Sequence, residues 1–165
     1  MRLLLDTNVL IDYFARREPF FEAWKTLRCA AWFDDVELWA SAKSFTDVFY
    51  VVSKAAASGQ VQSAFLESMK FLHVCAIGGE DVVAAAQACW PDFEDCLVAV
   101  AAQKVGAYFI LTRDTPGFAQ SKVPAMRPDE FFDWLRRERR ISYADIDLAG
   151  ETQHCSFEQT DLQKA

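Results

Sequence analysis

The sequence predicts an α/β fold three layers deep, a central parallel sheet of four to five strands covered by helices on both faces. Three observations carry this. Short apolar runs recur along the chain, at residues 3–5, 37–40, 74–77 and 108–111. Between them the apolar residues move to helical spacing, and breakers such as Gly78-Gly79 and Gly106 mark the seams. Strands that alternate with helices form a parallel sheet whose crossovers cover both faces.

The first strand, Leu3-Leu4-Leu5, ends in Asp6. Val9, Leu10, Tyr13 and Phe14 then recur at helical spacing, with Thr7 or Asn8 as the expected cap. Pro19 suits a first helical turn, and Phe20, Phe21, Trp24, Leu27 and Ala31 give a second amphipathic helix. After a short strand over 37–40, Ser41 or Ser44 begins a third helix through Phe45, Val48, Phe49, Val52 and Ala56, which carries Asp47. A further helix is expected over about 61–72 and a strand over 74–77. Helices follow with Val82, Val83, Ala86 and Cys89, then with Leu97, Val98, Ala101 and Ala102. The strand over 108–111 delivers Thr112-Arg113-Asp114, and a minor strand over 124–126 precedes a last helix over about 128–140.

At 165 residues and 52% hydrophobic, the chain has the size and composition of one globular domain. It is expected over residues 1–140, with 141–165, polar and aperiodic, as a tail that is loosely ordered or partner-bound. No apolar run reaches the roughly 18 residues of a membrane span, and the start lacks a basic-then-apolar secretion pattern. The expectation is a cytoplasmic protein. Five cysteines without a Cys-x-x-Cys pair are expected to be reduced and mostly buried. A net charge of −7 argues against a protein that blankets nucleic acid with cations, yet it does not exclude a nuclease. Carboxylates in an active site add negative charge that a bound metal neutralises locally.

Ligands in open parallel sheets bind just outside the carboxyl ends of the strands. Asp6 and Asp114 both end apolar strands, and Asp95 lies in the first turn of the helix that precedes the second of them. Helix amino termini face that same edge. Asp92 either caps this helix or shares a face with Asp95 three residues on. Asp47 points either at the crevice or at water. Gathered carboxylates repel one another unless some are protonated or a cation joins them. Magnesium and manganese are hard ions that take such oxygen ligands and leave positions open for phosphate oxygens and water.

Three blocks in order resemble the signature of PIN-domain proteins: Leu4-Leu5-Asp6-Thr7-Asn8-Val9-Leu10, Asp92-Phe93-Glu94-Asp95-Cys96-Leu97, and Tyr108-Phe109-Ile110-Leu111-Thr112-Arg113-Asp114. The resemblance extends over roughly residues 1–135 and includes Pro128-Asp129-Glu130-Phe131. It implies an α/β/α fold and a ribonuclease dependent on Mg2+ or Mn2+, many such proteins being VapC-type toxins paired with antitoxins. It further implies Asp6, Asp95 and Asp114 as metal ligands, Asp47 as an assisting catalytic acid, and Thr7 and Asn8 as hydrogen-bonding support. RNA is then the substrate, and an antitoxin or a second copy of the chain the expected protein partner. Two departures stand out. Aspartate occupies position 47 where the family usually has glutamate, and Gly117 stands where a second acid often follows Thr-Arg.

Other residues have plainer expectations. Asp12 should point away from the crevice, on the surface or in a local hydrogen bond. Arg113 either meets phosphate or pairs with a neighbouring acid. His73 and His154 have no partner at catalytic spacing. The five tryptophans are mostly core by pattern, though so many aromatics leave room for an apolar protein-binding face. The basic run Arg136-Arg137-Glu138-Arg139-Arg140 is expected to be a solvated helix face. Two alternatives to the nuclease remain: a protein-binding module that kept the fold but lost hydrolysis, and a phosphatase of another α/β family. The latter is weaker because no second aspartate stands two residues after Asp6.

Overall fold

A computed structural model describes residues 1–143. Five parallel strands lie in the order β3-β2-β1-β4-β5, with β1 (Arg2–Leu5), β2 (Glu37–Ser41), β3 (Leu72–Cys75), β4 (Phe109–Leu111) and β5 (Ala125–Met126). The first strand is therefore central. Leu4 pairs with Trp39 on one side and with Ile110 on the other.

Strand periodicity sorts the core into two layers. Leu3 and Leu5 face one side, against α1 (Thr7–Phe14), α2 (Phe21–Trp32), α3 (Ala42–Val52), α4 (Ser58–Ser68) and, near β4, Phe131 and Leu135. Leu4 and Ile110 face the other, against Val98, Ala99, Ala101 and Ala102 of α6 (Phe93–Val105). All three leucines are fully buried, worth roughly 2 kcal/mol apiece in area removed from water. The helix α5 (Gly79–Ala88) packs on the outer side of α6. That is why α6 is buried almost all round and uses alanine and cysteine where the layers close.

The element order matches the sequence prediction, and the differences lie at boundaries. The third strand starts at Leu72 rather than 74, and the preceding helix stops at Ser68. Leu72 registers with Leu38 and is buried, whereas His73 and Val74 face out at the sheet's edge, so the alternation that sequence shows elsewhere is absent. The last helix, α7 (Pro128–Trp134), continues as a π-helical turn, Leu135–Arg139, closed by Arg140 with φ of 60°. Of the segment expected to be a tail, Tyr143 stacks on Phe33 and donates its hydroxyl to the Asp35 carboxylate at 2.5 Å. The remainder of that expected tail, with His154 and Cys155, lies outside the described residues.

Among the described residues Cys29, Cys75 and Cys96 are buried and Cys89 is exposed, all four as free thiols. Trp24 is core and donates its indole N–H to the Val9 carbonyl, while Trp32 departs from the expectation and is two-thirds exposed. No helix among the described residues is long and apolar enough to cross a membrane.

Candidate metal centre

The strand order places a topological switch point between β1 and β4. From β1 the chain moves outward to β2 and β3, then returns across the sheet to β4 on the far side. A crevice opens where the strand order reverses, and both flanking strands end there in an acid.

Asp6 follows β1 and is 4% exposed, with its backbone extended at the N-cap position of α1. The cap of α1 is therefore Asp6 rather than the expected Thr7 or Asn8. Its Oδ1 accepts from the Thr7 amide at 2.6 Å, and its Oδ2 accepts from Asn8 Nδ2 at 2.6 Å and from Thr112 Oγ1 at 2.7 Å. Thr112, fully buried, is the hub of this network. Its hydroxyl donates to Asp6 and accepts from Asn8 Nδ2 and from the Asp114 amide, using the full capacity of one hydroxyl. Asn8 in turn accepts from the Arg113 amide, so the ends of β1 and β4 are stitched together. Thr7 reaches Ser44 of α3 at 2.9 Å.

Asp92 caps α6, its Oδ1 accepting from the amides of Glu94 and Asp95, so the capping alternative is the one realised. This cap fixes the first turn that carries Asp95. Burial, then Asp6, Asp92, Asp114 and Glu94, push the Asp95 pKa up to about 6. Asp6 is also raised to about 6, by burial first, against the lowering effect of its hydrogen bonds, with Asp114 adding to the rise. Asp95 therefore feels the charges of Asp6 and Asp114, and Asp6 feels that of Asp114.

Gly117 records how tightly two of them meet. It sits in a 3-10 turn, Pro116–Phe118, and a Cβ there would lie 2.4 Å from Asp95 Oδ2 and 3.1 Å from Asp114 Oδ2. The backbone amide of Gly117 faces Asp114 Oδ1 at 3.4 Å. Glycine thus leaves room for the two carboxylates at the place where a side chain would have pointed between them.

Asp47 stands apart. Its Oδ2 is 2.6 Å from Lys43 Nζ, four residues back on α3, and Lys43 also reaches Glu94 Oε1 at 2.9 Å. Asp12 corrects the expectation of a surface residue: it is 2% exposed and pairs with Arg113 Nε at 3.0 Å. The Arg113 guanidinium also lies 4.5 Å from the centre of the Phe20 ring. Of the two roles open to Arg113, pairing with an acid is present, and its charge also acts on Asp6, whose pKa it lowers.

Thr112, Ser44, Lys43 and Asp12 were missed as site residues by sequence reasoning. The Lys43–Asp47 spacing of four was visible as a helical ion pair. Nothing in the sequence marked Thr112 as a hub, because its three partners come from two distant strand ends.

The donor set is all oxygen, which fits a hard divalent cation, and such an ion would offset the burial and the neighbouring acids that raise Asp6 and Asp95. The acids lie along one edge of the sheet without closing into a finished cage. Among the described residues no group of three or more His, Cys, Asp or Glu side chains forms one. Concavity does not lead to this place: a cavity of about 270 Å3, lined by Arg28, Trp32, Glu37, Phe71 and His73 among others, lies at the opposite edge, where β2 and β3 begin.

Comparison with known proteins agrees with this fold. Similar folds occur in VapBC2 of Rickettsia felis bound to promoter DNA (TM-score 0.59, 16% identity, 77% of this chain and 98% of that one). They also occur in VapBC-1 of nontypeable Haemophilus influenzae (0.60, 15%, 78% and 99%). Mycobacterium tuberculosis VapC20, a toxin that cleaves the sarcin-ricin loop, is similar as well (0.58, 11%, 72% and 94%). No curated protein sequence matches. A family model described as PIN domain matches residues 2–116, from β1 through both acid-bearing strand ends, and by that match the chain belongs to the PIN domain family.

Proposed function

We propose that this protein is a metal-dependent endoribonuclease and the toxin of a toxin–antitoxin pair. The observation that supports the reading is that Asp6 and Asp114 follow adjacent strands at the switch point between β1 and β4, with the carboxylates of Asp95 and Asp114 both against the Gly117 position. These three residues would hold Mg2+ or Mn2+. When bound, the ion supplies a Lewis acid that activates water and stabilises the leaving oxygen of a phosphodiester.

The remaining work falls to the chain's own residues. Thr112, Asn8 and the Thr7 amide hold both Asp6 oxygens in place, so the central carboxylate does not reorient between turnovers. Asp92 fixes the helix turn that presents Asp95. Arg113, anchored by Asp12, offers a guanidinium at the crevice for an RNA phosphate, a pairing whose planar geometry suits the group.

A similar fold occurs in a toxin–antitoxin complex from Klebsiella pneumoniae, which supports an antitoxin as partner here; a cytoplasmic setting belongs to the same reading. Exposed apolar side chains, Trp32, Tyr50, Leu66 and Val83 among them, supply surface for such a protein or for a second copy of the chain.

The test is direct. Purified protein with Mg2+ or Mn2+ cuts RNA, and the Asp6→Asn variant loses more than the roughly 10–100-fold that an outer-shell change costs; equal rates sink the assignment. A second reading, a PIN-fold protein-binding module without hydrolysis, is favoured by the engagement of Asp47 with Lys43. A thermal midpoint insensitive to millimolar Mg2+ and Mn2+ would support it, since saturating ligand at 100 times Kd stabilises by about 2.7 kcal/mol.

A further inference from the structure

We infer that Lys43 withholds Asp47 from the divalent cation, so that the donor set is three aspartates rather than four carboxylates; the inference rests on the metal-dependent reading above. Lys43 occupies the first turn of α3, where a positive charge is disfavoured by the helix dipole. A cation placed there needs carboxylates close by, and it has two. Asp47 Oδ2 stands 2.6 Å from the ammonium and Glu94 Oε1 stands 2.9 Å from it.

These partners come from different layers. Asp47 belongs to α3 on one face of the sheet and Glu94 to the first turn of α6 on the other, so Lys43 straps the two helices across the carboxyl edge of the strands. An ammonium and a metal ion are rival counter-ions for one carboxylate. The lysine's side chain is only 24% exposed and that of Asp47 only 28%, which keeps water from weakening the contact, whereas Glu94 is the open partner at 66%. To join a metal, Asp47 would have to surrender this charge-assisted contact. Its side chain is also one methylene shorter than glutamate. Asp6, by contrast, is held by neutral donors, and Asp95 and Asp114 lie together against the Gly117 position.

The experiment is calorimetric titration of metal-free protein with Mn2+, read as Kd and independent of RNA cleavage. The variants are D47N, K43M, K43M/D47N and D6N, with far-UV circular dichroism confirming their fold. D47N should bind Mn2+ within threefold of wild type, because Asp47 is already spent. K43M keeps the aliphatic stem but frees Asp47, and should bind more than threefold tighter; K43M/D47N should lose most of that gain. Should K43M fail to fold, D47N alone still decides. A loss of more than threefold in D47N overturns the inference, as does a gain of threefold or less in K43M. The underlying metal reading fails with a different signature, D6N binding Mn2+ as wild type does or neither binding it, and the inference falls with it.

Discussion

Two carboxylates at the same edge of the sheet, Asp6 and Asp47, have opposite surroundings. Asp6 sits at the end of the central strand, held by three neutral donors, and the charge that acts on it most is that of another acid, Asp114, ahead of Arg113. Asp47 sits on a helix flank, matched to an ammonium. Neutral donors fix a carboxylate in space while leaving its charge uncompensated; an ion pair compensates the charge and leaves little to offer a metal. The difference separates an acid held by neutral donors from one paired with an ammonium.

That contrast can be broken most forcefully at Thr112. Thr112→Val keeps the shape but removes a donor from Asp6 and an acceptor from both Asn8 and the Asp114 amide. Thermal melting should show a loss of about 1–3 kcal/mol, and RNA cleavage a fall of roughly 10–100-fold. Unchanged stability would mean that the hub is not a support.

The uncompensated charge has a pH signature in metal-free protein. Asp6 titrates near 6 when folded against an ordinary value of 3.8. The folded state therefore holds the proton more tightly, and its ionisation is a penalty that accumulates as pH rises from about 3.8 to 6 and is constant above. Melting midpoints of wild type and Asp6→Asn, compared from pH 4 to 7, should shift in the variant's favour as pH rises. A difference independent of pH would remove the basis for the contrast.

Gly117→Ala sharpens it at lower cost. Its φ lies outside the left-handed region, so alanine suits the backbone and the global stability change should stay within about 1 kcal/mol. The new methyl meets Asp95 Oδ2 at 2.4 Å and must push that carboxylate aside. Mn2+ binding should weaken several-fold while the melting midpoint barely moves.

The smallest effect is expected at the exposed rim. Glu94→Gln breaks one of the two Lys43 contacts, where water already screens the pair, and should cost less than about 0.5 kcal/mol in a melt.

Much of this was legible beforehand for a physical reason. An apolar triplet ending in Asp6 and another run ending in Asp114 can only be strands whose last residue emerges at the sheet's edge, and parallel strands share that edge. The same logic located Asp95 and the cap at Asp92 near the amino terminus of α6. It misplaced the start of β3, because an edge strand with Leu72 and Cys75 buried and the two residues between them exposed has neither a strand's nor a helix's period. Asp12 escaped it too, since burial of a charge depends on a partner 101 positions away in the chain, Arg113.

By itself, then, the sequence determined the order of strands and helices, the strand-end acids and the side chains able to cap and bind, all of which follow from local pattern and elementary chemistry. Only the tertiary structure decided which of those groups meet. Thr112 became a hub because β1 and β4 are neighbours across the switch point, Gly117 became the gap between Asp95 and Asp114, and Lys43 reached Glu94 across two layers. Hydrogen bonds and ion pairs act over about 3 Å, and no spacing along a chain fixes distances of that order between segments a hundred residues apart.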